Sequence, residues 1–251
     1  MFYSKKLKKY KNLNHCFFSK KGGVSKGIYM GLNCGLNSKD KKKNILRNLD
    51  IVKRKIGNKN TLLITFHQKH TNKVFFLKNL KKRKIISDGI VTRIKNLAVG
   101  VLTADCVPIL FYDPIEKISG CIHAGWKGAY KGIIKNTIKE FLKLNSLKKN
   151  IIVAIGPCIK KQNYEVKYRF YKKFLNKNKT NQIFFTKTNK NKYYFDLRNF
   201  INKQLLDIGI KKIENIKLDT FSDKKNFYSY RRSNINKEND YGRNISVILM
   251  T

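Results

Sequence analysis

The chain has 251 residues, of which 41% are hydrophobic and 12% aromatic, and this length and apolar content allow one packed domain without disulfides. The formal net charge at pH 7 is +41, from 56 Lys and Arg against 15 Asp and Glu. Because the basic residues are spread along the whole chain, the charge fits drift in composition better than a selected polyanion-binding surface, and we expect no specific nucleic-acid partner.

The cysteines and the N-terminal segment indicate the compartment. The five cysteines have no regular spacing, which excludes a disulfide framework and a paired Cys-x-x-Cys zinc ribbon and fits a reducing cytosol. Residues 1–10 are basic but lack the apolar stretch of a signal peptide, and Asp105 interrupts the longest apolar run, 98–112. We therefore expect a cytoplasmic, monomeric protein with a single domain over residues 1–251 and no membrane span.

Hydrophobic periodicity predicts three helices and six strands. Helical spacing of apolar residues occurs over 44–55, ended by Gly57, over 134–142, and over 197–208 before Gly209. Short β-rich runs predict strands at 62–66, 97–103, 107–112, 118–122, 151–155 and 245–250. Polar stretches at 172–192 and 233–240 are typical of loops. Because the elements alternate too irregularly for a doubly wound sheet, the predicted fold class is α/β, a single compact domain with mixed β-sheets layered with α-helices.

Two histidines and one cysteine occupy positions where active-site residues are common. His123 ends a β-run and opens His-Ala-Gly-Trp-Lys-Gly, Cys106 lies at a break between two buried β-runs, and His70 follows the run 62–66. Side chains at strand ends could converge on one sheet edge and hold zinc with an open fourth position. Their separation in sequence matches no local zinc motif, however. The alternative is a buried Cys106 that packs as a small hydrophobe beside hydrogen-bonded histidines.

Two other segments could bind anions or bases. The glycines of 22–23 and 31–35 could form turns whose N–H groups bind an anion beside Lys20 and Lys21, although two ordinary turns are the simpler interpretation. No phosphate-binding loop or dinucleotide-binding glycine motif accompanies them. Residues 227–232 place aromatic side chains beside Arg231 and Arg232, which could stack a base and clamp an anion, or form an ordinary aromatic strand with solvated arginines.

Motifs in order across nearly the whole chain carry a family resemblance. They are Gly22-Gly23-Val24-Ser25, Leu32-Asn33-Cys34-Gly35, His67-Gln68-Lys69-His70, Ser87-Asp88-Gly89-Ile90-Val91-Thr92, Thr103-Ala104-Asp105-Cys106-Val107-Pro108, His123-Ala124-Gly125-Trp126-Lys127-Gly128, Gly156-Pro157-Cys158-Ile159, Tyr164-Glu165-Val166, Ser229-Tyr230-Arg231-Arg232 and Gly242-Arg243. Together they resemble the YfiH-like family, also called laccase-domain or multicopper polyphenol oxidase (FAMIN-like) proteins. The Ala-Asp-Cys and His-Ala-Gly-Trp pair is the most specific part.

The resemblance implies a metal site, an activity and a single compact α/β domain. The family's catalytic zinc ligands fall on His70, Cys106 and His123, with copper less favoured as the metal. The implied activity is phosphorolysis of adenosine, inosine, guanosine and S-methyl-5′-thioadenosine to the base and (methylthio)ribose 1-phosphate, together with hydrolytic deamination of adenosine. Purine nucleosides and phosphate are therefore the expected ligands.

Four further residues are candidates for substrate binding. We expect Lys20, Lys127 and Arg231 to contact phosphate, and Asn33, which carries a donor and an acceptor, to contact base or ribose. The family usually has arginine where this chain has Lys20 and Lys127, and lysine lacks the bidentate fork that matches phosphate oxygens. The resemblance therefore leaves phosphate affinity open. His67 is a weaker candidate for a proton shuttle, from its proximity in sequence to His70.

Three alternative functions remain at this point. A cysteine hydrolase acting on peptides or muropeptides would use Cys106 as nucleophile and a histidine as base. A copper polyphenol oxidase would need many more histidines than the four present. A non-enzymatic nucleic-acid binder would rest on the net charge alone.

Overall fold

The centre of the fold is a pair of stacked β-sheets with helices on both outer faces. The structure is a computed structural model and describes residues 1–80 and 84–251. The strands are β1 Leu13–Phe17, β2 Leu62–Ile64, β3 Val74–Leu77, β4 Gly89–Thr92, β5 Leu97–Thr103, β6 Val107–Asp113, β7 Ile118–Ala124, β8 Ile152–Ile155, β9 Glu165–Lys167, β10 Phe185–Asn189, β11 Lys192–Phe195, β12 Lys212–Asn215 and β13 Asn244–Met250. The α-helices are α1 Lys5–Lys8, α2 Lys42–Ile56, α3 Trp126–Lys131, α4 Ile133–Lys143, α5 Tyr168–Lys177, α6 Leu197–Ile208 and α7 Tyr230–Ile235.

Both central sheets are mixed, as the sequence predicted. One has four strands in the order β1-β13-β5-β2, and the other has six in the order β12-β8-β6-β7-β4-β3. The pairs β2·β5, β3·β4 and β8·β12 are parallel, and the remaining pairs of these two sheets are antiparallel. A third sheet, β10-β11-β9, is a small antiparallel extension that packs with α5. The α/β prediction of a single domain is confirmed.

Alternating side chains explain why the six-stranded sheet is buried on both faces. In β6, Leu110 and Tyr112 belong to the apolar cluster between the two sheets, whereas Ile109 and Phe111 belong to the cluster under α4 and α6. Successive strand residues point to opposite faces, so a strand covered on both sides must be apolar throughout. A third cluster joins α2 to the outer face of the four-stranded sheet. The resulting layers are helix, sheet, sheet and helix.

The structure confirms the three predicted helices and the six predicted strands, with ends that differ by at most a few residues. The loop predicted at 172–192 is wrong, because that segment contains most of α5, a 3-10 helix at Lys179–Phe184, and β10. Phe174 and Phe184 pack into the core from this segment, and the lysines around them face solvent. The loop predicted at 233–240 begins inside α7, which ends at Ile235.

No helix within the described ranges is long and apolar enough to cross a membrane.

The N-terminal segment is tied to the sheets through a buried histidine. His15 in β1 is 4% exposed, and its Nε2 accepts a hydrogen bond of 2.8 Å from the backbone N–H of Ser4. Ser4 in turn caps α1 and donates its hydroxyl to Glu214 at 2.6 Å. Burial lowers the pKa of His15 to about 4, although the nearby Glu214 carboxylate opposes this shift. His15 is therefore a neutral hydrogen-bond acceptor at pH 7.

This histidine is expected to make the fold sensitive to acid. Unfolded His15 takes up a proton near its ordinary pKa of 6.5, whereas folded His15 does so only near pH 4. The unfolded state therefore binds more protons in this window, and the free energy of unfolding should fall by about 3 kcal/mol between pH 6.5 and 4 from this group. His15→Gln keeps an acceptor but cannot titrate, so urea unfolding of the metal-free protein at pH 7 and pH 4.5 should show a smaller loss. An equal loss in both proteins would contradict this prediction.

Candidate metal centre

Three side chains from separate segments meet at one end of the six-stranded sheet. One ligand atom from each of His70, Cys106 and His123 lies within 4.8 Å of the others. His123 is buried, Cys106 is half-buried and His70 is exposed, so the cluster opens to solvent on one side. Among the described residues, this is the group of His, Cys, Asp and Glu side chains that fits a metal ion. The structure thus brings together the three predicted ligands.

Strand register explains how Cys106 and His123 become neighbours. In the antiparallel β6·β7 pair, Pro108 lies opposite His123 and Val107 lies opposite Ala124. Cys106 directly precedes β6, so the start of one strand and the end of its partner deliver both side chains to the same sheet edge. His70 comes from the loop between β2 and β3, which crosses from the four-stranded to the six-stranded sheet. The centre therefore lies where the two sheets join.

Asp88, which directly precedes β4, holds two of the three ligands in place. Its carboxylate is fully buried and accepts a 2.9 Å hydrogen bond from His123 Nδ1 and another of 2.9 Å from the backbone N–H of His70. It also accepts from the backbone N–H groups of Lys69 and Thr71 and from the Thr71 hydroxyl. Because a carboxylate only accepts, the proton of His123 lies on Nδ1 and Nε2 is left free to bind a metal.

Hydrogen bonding also decides the charge of this carboxylate. Burial alone would raise the pKa of Asp88, but hydrogen bonds from His123 and Thr71 outweigh burial and hold its pKa well below the ordinary value. Asp88 is therefore ionised at neutral pH. Its negative charge also makes His123 Nε2 more basic and therefore a stronger ligand for a metal cation.

The loop that carries His70 adopts an unusual backbone conformation. His70 has a φ of 55°, in the left-handed region that residues with a Cβ seldom adopt. The hydrogen bonds from His70 and its neighbours to Asp88 stabilise this turn. As a result the His70 ring packs edge-on against the His123 ring, with centroids 4.6 Å apart. Strained backbone at a functional site of this kind fixes the direction of a side chain.

The space around position 125 explains why a glycine follows His123 and Ala124. A Cβ at this position would lie 2.8 Å from Cys106 Sγ and 3.2 Å from His70 Cδ2. Because the Gly125 backbone is extended, its φ of −72° would suit any residue, and the glycine is required only for space. Any larger residue would push into the cluster of ligands.

The two imidazoles favour the deprotonated, thiolate form of Cys106. Burial raises the pKa of Cys106, but the adjacent His123 and His70 side chains outweigh burial and lower it below its ordinary value. Conversely, burial lowers the pKa of His123, while Cys106 and Asp88 raise it above the ordinary value. A thiolate with two imidazoles is a donor set suited to a transition metal of intermediate softness. The residues present therefore fit a bound metal.

Two cavities meet at these ligands. The smaller one, about 410 Å³, is lined by His67, Gln68, Arg243 and neighbouring residues. The larger one, about 810 Å³, is lined by Trp126, Tyr164 and several cationic side chains. His70, Ala104, Cys106 and Tyr241 line both. A ligand in either cavity would therefore reach the metal centre.

Two of the four predicted substrate-binding residues lie in the larger cavity. Lys127 lines it with its Nζ 5.7 Å from the Trp126 ring centroid. Arg231 lines it with its guanidinium donating to the Glu165 carbonyl at 3.0 Å and lying 5.5 Å from the Tyr164 ring centroid. The backbone N–H of Arg231 donates to the Asp105 carboxylate at 2.6 Å, which anchors α7 beside Cys106.

The other two, Lys20 and Asn33, line neither cavity among the described residues. Asn33 is fully buried, and its Oδ1 accepts from the backbone N–H groups of Gly35 and Arg243. Its Nδ2 donates to Ser38 and Asp40, so no donor or acceptor of this amide is left to contact base or ribose. In place of the expected substrate contact, the structure shows Asn33 supporting the backbone of Arg243. The Lys20 Nζ lies 5.6 Å from the Tyr228 ring centroid.

The sequence did not predict several residues that hold the metal ligands in place or line the cavities. Asp88 could have been noticed in the sequence as a single carboxylate directly before a buried β-run. Its hydrogen-bond partners, however, are brought to it only by the fold. Gln68 pairs its side-chain amide with the backbone N–H and carbonyl of Leu102 in β5, with hydrogen bonds of 2.9 and 2.7 Å. His67, by contrast, was named from the sequence as a weaker candidate for a proton shuttle, and it lines the smaller cavity and contacts Asn37. Tyr241 had no sequence signal.

Comparison with known proteins gives consistent matches over the whole fold. Residues 14–251 match the family described as multi-copper polyphenol oxidoreductase laccase. A Rickettsia prowazekii protein named purine nucleoside phosphorylase is 33% identical over 228 residues, which cover 89% of this chain and 90% of the relative. The Bacillus subtilis purine nucleoside phosphorylase YlmD is 31% identical over 228 residues, covering 86% and 82%. The crystal structure of Bacillus licheniformis YfiH has a TM-score of 0.88 at 26% identity, covering 95% of this chain and 93% of that one.

Removing the charge behind His123 should weaken metal binding. In Asp88→Asn the amide cannot accept every hydrogen bond that the carboxylate accepts, and it carries no negative charge toward the imidazole. We expect affinity for Zn²⁺, measured by competition with a chromophoric chelator, to fall by about 10- to 100-fold. Asp50→Asn, on the exposed face of α2, is the matched control and should retain the wild-type affinity. Equal affinity of Asp88→Asn and wild type would show that this carboxylate does not support the metal.

Proposed function

The chain belongs to the family described as multi-copper polyphenol oxidoreductase laccase, and from this premise we propose that it is a zinc-dependent purine nucleoside phosphorylase that also deaminates adenosine. The expected substrates are adenosine, inosine, guanosine and S-methyl-5′-thioadenosine, with phosphate as the second substrate. The observation that carries the proposal is the convergence of His70, Cys106 and His123 at the junction of two cavities, one of them lined by cations. The names of the relatives support the purine nucleoside class.

The donor set supports zinc as the metal. Two imidazoles and one thiolate are typical of a zinc site that keeps a position open for water or substrate, and the protein offers no fourth His or Cys in this cluster among its described residues. When bound, Zn²⁺ supplies a Lewis acid that stabilises negative charge on oxygen or nitrogen and lowers the pKa of water. A multicopper oxidase site needs more imidazoles than this chain contains.

In phosphorolysis an oxygen of phosphate forms a bond to ribose C1′ while the bond from C1′ to purine N9 breaks, and the bonding electrons stay with the base. We propose that Lys127 and Arg231 bind the phosphate in the larger cavity and lower the repulsion between its charge and the departing base. Arg231 suits this role because its backbone is fixed by Asp105 and its guanidinium by the Glu165 carbonyl. His67, at the wall of the smaller cavity, is a candidate to deliver a proton to the base.

In deamination water replaces phosphate as the nucleophile. An oxygen of water bonds to purine C6, the exocyclic amine leaves as ammonia, and inosine is formed. Asp88 fixes the Nδ1 proton of His123, so this imidazole would hold the metal through Nε2 in deamination and would not act as the base. The two reactions share one site and differ in the group that attacks.

The same Asp88 contact favours one alternative function. Cys106, His123 and Asp88 form the series of nucleophile, base and orienting carboxylate used by cysteine hydrolases that act on peptides or muropeptides. His70 discriminates between the two functions, because a metal enzyme needs it as a ligand and a hydrolase with this triad does not.

We also propose that the protein acts in the cytoplasm as a monomer, without a membrane partner or a specific nucleic-acid partner. Its five free cysteines support a reducing compartment such as the cytoplasm.

The direct test of this proposal identifies the products formed from adenosine. Protein of known metal content is incubated with adenosine in the presence and absence of phosphate. We expect adenine and ribose 1-phosphate only with phosphate, and inosine in both conditions. His70→Ala and His123→Ala should both lose activity by more than about 100-fold together with the metal, and His15→Gln, outside both cavities, is the control. Absence of both products from the metal-loaded wild type, or full turnover in His123→Ala, would refute the proposal.

Lys127 allows a second, more specific test. Lys127→Arg restores a planar guanidinium that can bind two phosphate oxygens at once. We expect the KM for phosphate to fall by about threefold or more, since a bidentate pair is stronger than a single charged hydrogen bond, while the KM for nucleoside stays unchanged. Lys131→Arg, in the last turn of the same helix, is the matched control. An unchanged KM for phosphate would exclude Lys127 from the phosphate site.

A further inference from the structure

The larger cavity contains more positive charge than the proposed reaction requires. Five cationic side chains line it, namely Lys127, Lys167, Arg169, Lys173 and Arg231. Asp105 is the only carboxylate that lines it among the described residues, and its oxygens are already occupied by Thr220, Ser229 and the backbone of Arg231. Two cations, Lys127 and Arg231, can neutralise one phosphate dianion. The three that remain have no role in phosphorolysis.

These three cations lie on one short segment of the chain and have no acidic partners among the described residues. Lys167 ends β9, and Arg169 and Lys173 follow at positions four residues apart on α5, so they lie on the same face of that helix. In the part of the chain that the structure describes, none of the three forms an ion pair with a carboxylate. Like charges at this spacing repel each other and oppose helix formation. A bound anion would remove this repulsion.

Aromatic side chains form the rest of the wall. Trp126, Tyr164, Phe170, Tyr230 and Tyr241 line the same cavity. The Trp126 ring packs edge-on against Phe170 at 4.8 Å between centroids, which fixes its orientation. Lys173 Nζ lies 6.0 Å from the Trp126 centroid and Lys127 Nζ lies 5.7 Å from it. Aromatic faces beside unpaired cations suit a ligand that has both a flat heterocycle and an anionic group.

We propose that the larger cavity is a binding site for purine nucleoside 5′-phosphates, with the base against the aromatic wall and the 5′-phosphate at Lys167, Arg169 and Lys173. Its volume of about 810 Å³ lies in the range of sites that bind ligands of this size. The inference rests on the proposed function for the choice of a purine base, whereas the phosphate recognition follows from the cations alone. Nucleotides would then compete with nucleosides for access to the metal centre.

Trp126 provides a readout that does not depend on catalysis. It is the only tryptophan of the chain, so changes in intrinsic fluorescence on ligand binding report on this cavity. The zinc-loaded full-length protein is titrated with GMP and with guanosine in phosphate-free buffer at fixed ionic strength. Neither proposed reaction consumes these ligands under such conditions. We expect GMP to bind at least about tenfold more tightly than guanosine, as expected for three new charged contacts at an exposed site.

Paired triple variants test whether the local cations cause this preference. Lys167→Ala/Arg169→Ala/Lys173→Ala should bind guanosine as the wild type does and lose the preference for GMP. Lys42→Ala/Lys43→Ala/Arg47→Ala removes the same charge from the exposed face of α2 and should retain it. All six positions are exposed, so both variants should keep the fold.

The outcomes separate this inference from the proposed function. Equal affinity for GMP and guanosine in the wild type, or an equal loss in both triple variants, would overturn the nucleotide site even if the protein converts adenosine. Preference for GMP that depends on Lys167, Arg169 and Lys173 would support the site even if no turnover of adenosine is found.

Discussion

The buried carboxylate of Asp88 is the interaction on which the metal centre depends. It accepts from the ring of His123 and from three successive backbone N–H groups around His70, so one side chain fixes ligands from two different segments. Burying an ionised carboxylate is costly unless each of its lone pairs is used, and here five donors surround it. The same bonds hold His70 in its left-handed conformation. The site is therefore organised before a metal binds, which reduces the loss of conformational entropy on binding.

The position of this carboxylate follows from the stacked sheets. Asp88 precedes β4, Cys106 precedes β6 and His123 is the next-to-last residue of β7, and the β4-β7-β6 order places these three points side by side. His70 enters from the loop that crosses between the sheets, so packing of the sheets against each other sets its distance from the other ligands. Gly125 keeps the space between them clear. The geometry of the centre is thus a consequence of strand register and sheet packing rather than of a local sequence motif.

This origin explains which features could be predicted from the sequence. Strands such as β5 and β13 are mostly apolar, so the sequence predicts them. The helix α5 was not predicted, because basic residues and Asn surround the apolar Phe170 and Phe174. Residue types indicated that His70, Cys106 and His123 could bind zinc, but only the resemblance to a family selected them together, because the pairing of Pro108 with His123 is not visible in spacing. The amide of Asn33 was judged by its residue type, and its donors and acceptors proved to be used inside the fold.

The same reasoning separates functional charge from charge due to composition. A net charge of +41 dispersed over the chain carries little information at any one lysine. Lys167, Arg169 and Lys173 differ because they line one cavity, and because the helix that carries Arg169 and Lys173 is anchored from beneath by Phe170 and Phe174, whose rings stack at 4.9 Å. Phe174 also packs on Phe195 and Phe200, which joins this helix to the main core. Because this helix is fixed, Arg169 and Lys173 stay one turn apart on the same face, and an anion that binds there offsets the repulsion between them.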